Sequence, residues 1–173
     1  MNKKILVTYA TKYGATQEIA EAIGKWLEEA GMPVVLQRAE DVNDLGPFGA
    51  VVLGSAVYAG HWRKEAVAFL ERFEHELALR PVWFFSSGPT GEGEPVSLMH
   101  GWRLPEAQQP LADRIGPRDI AVFHGDIDPE RLNLGERLLV KAIRAKTGDY
   151  RDWEAIDTWA QRIADTLTPI RRD

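Results

Sequence analysis

What constrains this chain most is an alternation. Short runs nearly continuous in Val, Ile, Leu and Phe recur between segments whose apolar residues fall every three or four positions. A strand with one wet face alternates apolar and polar side chains. A strand covered on both faces does not, so runs of this kind belong to a parallel sheet between helical layers. The runs are KILVTY (4–9), PVVLQR (33–38), GAVVLGSA (49–56), PVWFFSS (81–87) and DIAVFHG (119–125). Joined by right-handed crossovers, they predict an α/β doubly wound, five-stranded parallel sheet of order 2-1-3-4-5 with helices on both faces. With no repeat, low-complexity tract or linker, the reading is one domain over 1–173.

The intervening segments are amphipathic. In the first, Ile19, Ile23, Trp26, Leu27 and Ala30 share a face, and Gly31 supplies the stop. The second is predicted over 63–75 with Val67, Leu70 and Phe73 inward, the third over 104–115, the fourth over 130–146 and the fifth over 152–167. In the fifth, Trp153, Ile156, Ala160, Ile163 and Leu167 form the inward stripe.

Composition removes several classes of function. A net charge of −5 speaks against a nucleic-acid partner, which calls for a basic face. Without cysteine there is no disulfide framework and no thiol chemistry, so redox activity requires a bound cofactor. MNKK leads directly into a short strand rather than a secretory apolar core, and no window approaches the roughly 20 apolar residues of a spanning helix. A cytoplasmic location is the expectation.

A doubly wound sheet binds ligands beyond the carboxyl ends of its strands, where strand order reverses. Three loops reach that point: 10–16, 55–63 and 87–103. In the first, YATKYGAT crowds hydroxyls and a glycine at a strand-to-helix turn, where free backbone N–H groups suit a phosphate. Thr11, Lys12, Tyr13, Gly14, Ala15 and Thr16 would make that cradle; alternatively, Thr11 and Thr16 simply cap the helix. In the second, Ser55, Ala56, Val57, Tyr58, Ala59, Gly60, His61 and Trp62 would wall a flat ring, with Tyr58 stacking and the Gly60 peptide free to turn; alternatively, Tyr58 and Trp62 cap the core. In the third, Ser87, Gly88 and Thr90 would meet the ring's polar edge, or the segment is only a flexible loop.

Other chemistries lack their residues. A receiver domain needs acidic residues where Ala10, Thr11 and Ser55 stand, a serine hydrolase needs G-x-S-x-G, and His61, His75, His100 and His124 are too scattered for zinc. No metal site is expected. The absence of G-x-G-x-x-G and of G-x-x-x-x-G-K-[ST] removes support for the dinucleotide and triphosphate folds that carry them.

ILVTYATKYGATQEIAEAI resembles the phosphate loop of flavodoxins, and GSAVYAGHW resembles their second flavin loop. Within that superfamily the chain is most similar to the flavodoxin-type, menaquinone-dependent protoporphyrinogen oxidases. That group also has a basic residue in the first loop (Lys12), a YGH-like turn (Ala59 to His61), a helix-bearing insertion after the fifth strand's start, and a closing TG…DW segment, here TGDYRDWEAI. The resemblance implies noncovalent FMN, with its phosphate on 11–16 and its ring between the second and third loops. It implies oxidation of a tetrapyrrole with electrons passed to a quinone. A carrier serving protein partners and a flavin-free interaction module on the same fold are the alternatives. His61 is the side chain in the ring loop suited to relaying a proton.

The chain departs from the resemblance at two places. Electron-carrier flavodoxins sandwich the ring between aromatic residues, whereas loop 87–95 offers none. The insertion is also less basic than the group's. Even so, segment 130–146 carries Arg131, Arg137, Lys141, Arg144 and Lys146 against Glu130 and Glu136, with Leu132, Leu139, Ala142 and Ile143 as an apolar stripe. The preferred reading packs that stripe on the sheet; the alternative lays it peripherally on an anionic membrane.

Overall fold

The computed structural model describes residues 3–169. Strands β1 (Lys4–Ala10), β2 (Val34–Arg38), β3 (Phe48–Tyr58), β5 (Val82–Ser87) and β6 (Asp119–Phe123) form the parallel sheet in the order β2-β1-β3-β5-β6, which is the predicted arrangement. A sixth short strand, β4 (His61–Trp62), was not anticipated and pairs antiparallel with the end of β3. A separate ribbon, β7 (Asp126–Ile127) with β8 (Gly148–Asp149), lies beyond the sheet.

Because successive strand residues face opposite ways, the apolar runs split between two cores. Leu6, Val51, Leu53 and Phe84 pack under α2 (Lys64–Leu77) and α4 (Gln109–Ile115), through Leu70 and Phe73 of the former and Leu111 and Ile115 of the latter. Val7, Val52, Trp83 and Phe85 pack under α1 (Ala15–Glu29) and α6 (Trp153–Leu167), through Ile19, Ile23 and Leu27 and through Ile156, Trp159 and Ile163. Phe85 and Phe123 both meet Trp159 edge-on, at centroid distances of 6.0 and 5.5 Å, and tilt against each other at 5.7 Å. Gly54 makes room for Phe85, since a Cβ there would stand 1.9 Å from its ring.

Three helical expectations need correction. The helix expected over 104–115 is a 3-10 turn, Glu106–Gln108, followed by α4 alone, because Pro105 and Pro110 withhold the N–H groups a longer helix needs. The helix expected over 130–146 is α5, Leu134–Ala142, preceded by a 3-10 turn at Pro129–Arg131. Asn133 starts α5 in a capping box with Glu136, and Arg144 has left the helical region with φ of 53°. A one-turn helix, α3 (Pro95–Leu98), stands in the third loop, where only irregular chain was expected. Ala30 and Trp153, expected to face inward, are exposed.

Candidate cofactor site

The three loops meet where predicted, beyond the carboxyl ends of β1, β3 and β5, and line one pocket. After β1 the chain turns sharply, with the Gly14 N–H donating to Thr11 Oγ1 at 3.0 Å and Gly14 at φ of 94°. That conformation costs a glycine little and a residue with a Cβ considerably more. Gly14 is the N-cap of α1, and no side chain caps the helix. The N–H groups of Ala15, Thr16 and Gln17 therefore have no intrahelical acceptor, at a helix end whose partial positive charge favours an anion. Thr16 is not a cap either. Its hydroxyl, 1% exposed, meets Ser87 Oγ at 2.8 Å and ties the first loop to the third.

The second loop is a tight hairpin. Ala59 and Gly60, with φ of 49° and 79°, turn β3 into β4 in the doubly left-handed conformation that suits a two-residue connection. Ser55 is fully buried; its Oγ donates to Ala56 O at 3.0 Å and accepts from Arg63 N–H at 2.9 Å, so it clamps the hairpin base rather than facing a ligand. Trp62 leaves the proposed ring wall. It is buried edge-on to Phe84 at 6.0 Å and donates from Nε1 to Ser86 Oγ at 2.8 Å, which in turn donates to Arg103 O at 2.8 Å. Ala56, Val57 and the half-exposed Tyr58 line the pocket, whereas Ala59, Gly60 and His61 stand outside it.

In the third loop Ser87 and Gly88 reach the pocket. Thr90 does not: its hydroxyl donates to Lys146 O at 2.5 Å and fastens the loop to the segment after α5. Gly88 packs directly on Gly125, where an added Cβ would lie 2.8 Å from Gly88 Cα.

Most of the remaining wall comes from residues 124–152, which the sequence reading left outside the site: Gly125, Asp126, Ile127, Asp128, Arg131, Leu132 and Val140, joined by Arg63. This excursion is pinned by Arg151, whose side chain is 7% exposed. Arg151 grips Asp149 with two hydrogen bonds of 2.8 and 2.9 Å, donates to Glu18 in the first turn of α1, and lies 3.7 Å from Asp126. The guanidinium holds the Asp149 carboxyl below its ordinary range, while burial, with the Asp149 charge second, pushes Asp126 up.

Lys12 has a partner that the sequence did not reveal. Its Nζ donates to Glu136 Oε1 and the Tyr13 hydroxyl donates to Glu136 Oε2, while the Asn133 N–H reaches the same Oε2 at 3.2 Å. Lys12 Nζ also sits 5.0 Å from the Tyr58 ring centroid and 5.3 Å from that of Tyr13, within cation-π range. The hydrogen bonds from Lys12 first and Tyr13 second hold the Glu136 carboxyl down at about 2, and the Glu136 bond in turn raises Lys12. The outward side of α5 differs from expectation as well: Leu139, Ala142 and Ile143, expected to pack on the sheet, face solvent beside Leu134 and Leu138, and only Leu132 and Val140 turn inward. Asn133-x-x-Glu136 was the available signal, because that spacing marks a helix start and ties the carboxylate to the first turn.

The donor set suits a phosphate ester carrying a flat ring. Unpaired N–H groups at the start of α1 would take the anion, and Tyr58, Val57 and Gly88 offer a ring-sized wall beside it. Among the described residues no group of three or more His, Cys, Asp or Glu is placed to hold a metal, and no helix is long and apolar enough to cross a membrane.

Comparison with known proteins agrees with this architecture. Residues 6–154 match the family model described as a flavodoxin domain. Protoporphyrinogen IX dehydrogenase [quinone] of Escherichia coli K12 is 24% identical over 182 residues, covering 93% of this chain and 94% of that protein. Oxidised flavodoxin 2 from Bacillus cereus superposes with a TM-score of 0.62 at 23% identity, covering 95% of this chain and 99% of that one. The Streptococcus pneumoniae TIGR4 flavodoxin superposes with a TM-score of 0.61 at 16% identity, covering 94% and 99%.

Proposed function

The chain belongs to the flavodoxin domain family, whose cofactor is FMN, and from that premise we propose that it is an FMN-dependent oxidoreductase that oxidises a reduced tetrapyrrole and delivers the electrons to a quinone. The N–H groups at the start of α1 would hold the FMN phosphate, with Thr11 and Lys12 to Thr16 around it. Tyr58 and Val57, which line the pocket from the hairpin, and Ser87 and Gly88, which line it from the third loop, would flank the ring. When bound, FMN supplies the electron chemistry, taking a pair from one substrate and returning it to another. The chain's own residues position the flavin and shape who reaches it. Lys12 places a positive charge on the pocket wall, and His61, exposed next to Tyr58 on the hairpin, is the candidate to pass protons to solvent.

One observation carries the enzyme reading over a carrier for protein partners. The excursion after β6 walls the pocket with Ile127, Leu132 and Val140 and leaves Leu134, Leu138, Leu139 and Ile143 facing solvent on the same helix, next to Arg137, Lys141 and Arg144. An apolar, cation-flanked helix beside the flavin suits acceptors dissolved in a membrane and a peripheral position on an anionic leaflet. The test is anaerobic. The FMN-loaded protein is mixed with protoporphyrinogen and a short-chain menaquinone, and porphyrin fluorescence is followed. Quinone-dependent porphyrin formation supports the reading. Its absence, with electrons passing readily to a flavodoxin-accepting protein, establishes the carrier role instead.

A further inference from the structure

The attachment of α5 is unusual for a helix that walls a binding pocket. Its apolar residues mostly face water: Leu134 and Ile143 are 75% and 64% exposed. What fastens the helix and its start to the body is polar and lands on the first loop, while Thr90 of the third loop ties down the chain beyond it. Glu136, 6% exposed, takes the Lys12 ammonium and the Tyr13 hydroxyl, and Arg131 Nη1, just before the helix, donates to the Tyr13 carbonyl at 2.8 Å. Val140, one turn on from Glu136 on the same face, and Leu132, in the extended residue just before the Asn133 cap, then close against the pocket.

With α5 so placed the pocket encloses about 130 Å³, well short of the roughly 300–1,000 Å³ of sites that hold small molecules and cofactors. An open surface depression of about 640 Å³ runs along the same excursion, sharing Leu132 and Val140 with the first pocket. Because Val140 belongs to α5 and stands between the two, a swing of the helix would open the first toward the second. The charge at the contact points the same way, since a carboxylate resting on Lys12 and Tyr13 opposes a phosphate approaching that loop.

We propose that Glu136 is an autoinhibitory latch: it holds α5 across the cofactor pocket by gripping Lys12 and Tyr13, and FMN enters when that grip opens. This rests on the FMN reading above. Release does not strand the carboxylate, because the Asn133 N–H remains as its capping-box partner and water reaches it once α5 moves. The helix can therefore stay folded while its position changes, and the two placements differ by a few charge-assisted hydrogen bonds rather than by a core. A site competent only when the latch is open binds ligand with an apparent affinity reduced by the fraction open, so weakening the latch speeds entry.

The test uses the full chain freed of flavin, with FMN uptake followed by quenching of flavin fluorescence in a stopped-flow instrument. Glu136→Ala is expected to raise the association rate roughly tenfold or more, the equivalent of one charge-assisted hydrogen bond. Tyr13→Phe should raise it less. Added salt should speed the native chain by weakening the latch and should slow Glu136→Ala, where the freed Lys12 attracts the phosphate. Independently of flavin, trypsin should cut within α5 at Arg137 and Lys141 faster in both variants than in the native chain. Association that is unchanged or slower in both variants overturns the latch, as does trypsin cleavage that is no faster. Should Glu136→Ala not fold, Tyr13→Phe and the salt series decide. A native chain that takes up no FMN refutes the cofactor reading instead, and the trypsin comparison still judges the latch.

Discussion

Gly125→Ala isolates a single close contact at the pocket floor. Gly125 does not have positive φ, so alanine meets no backbone strain there and the effect is purely steric. The new Cβ would stand 2.8 Å from Gly88 Cα, 2.9 Å from Gly88 O and 3.0 Å from Gly88 C, all backbone atoms that lack a side chain's freedom to rotate away. Carbon atoms prefer separations of about 3.5–4.0 Å, so the two loops must part by most of an ångström. Four contacts hold them together: Gly88 N to Phe123 O at 3.3 Å, Gly125 N to Pro89 O at 3.0 Å, His124 Nδ1 with Pro89 O at 3.1 Å, and His124 Nε2 with Gly93 O at 2.9 Å. Overpacking costs roughly 1–3 kcal/mol and the loss of one such bond about 1 kcal/mol, which gives roughly 2–4 kcal/mol in all. For a chain of this length each kcal/mol moves the melting temperature by about 2–4 °C, so a fall of roughly 5–15 °C is expected by circular dichroism. FMN affinity should fall with it, because Ser87 and Gly88 move with the loop. Gly135→Ala is the control: its Cβ meets only Asn133 Oδ1 at 3.5 Å, and a helical alanine should leave stability unchanged or slightly raised. A Gly125→Ala protein melting with the native one would refute the packing argument.

Two further outcomes follow from the loop ties. Thr16→Val keeps the shape of the side chain but leaves the buried Ser87 hydroxyl without its partner at 2.8 Å, so a loss of about 1–3 kcal/mol is expected in urea, with the slope of the transition unchanged. The second concerns pH. The Glu136 carboxyl lies at about 2 in the folded chain against an ordinary 4.5, so its contribution to holding α5 is complete above the ordinary value and fades as pH falls from there toward 2. Amide exchange protection of α5, measured against that of α1 at about pH 6 and about pH 3, should drop selectively at the acidic end. Equal protection of both helices at both pH values would contradict the assignment of Glu136 as the fastening group.

The sheet was readable because burial on both faces writes itself into consecutive residues: Val51 and Leu53 serve one core while Ala50 and Val52 serve the other. The meeting of the three loops followed from topology alone. What the sequence hid were choices between equivalent-looking partners. A tryptophan at the end of a strand reads the same whether it stacks on a ligand or turns into the core, and the Trp62 choice was made by Ser86 and Phe84, more than 20 residues on. Ser55 and Thr90 were polar residues in the right loops whose hydroxyls satisfy the backbone instead. Pairing Lys12 with Glu136 spans 124 residues, beyond the reach of any local pattern. The overlong helices at 104–115 and 130–146 came from trusting apolar spacing over Pro110 and Asn133, the residues that set the true starts.

Arg151 gives the molecule a seam. It joins the beginning of α1 to both strands of the β7–β8 ribbon, and so closes the whole excursion after β6 onto the phosphate-loop side of the fold. A disulfide, the staple that small secreted domains use for such a loop, is not open to a chain without cysteine. The staple here is electrostatic, and its vulnerabilities are correspondingly different: indifferent to reductants, it yields to ionic strength and to the loss of one guanidinium.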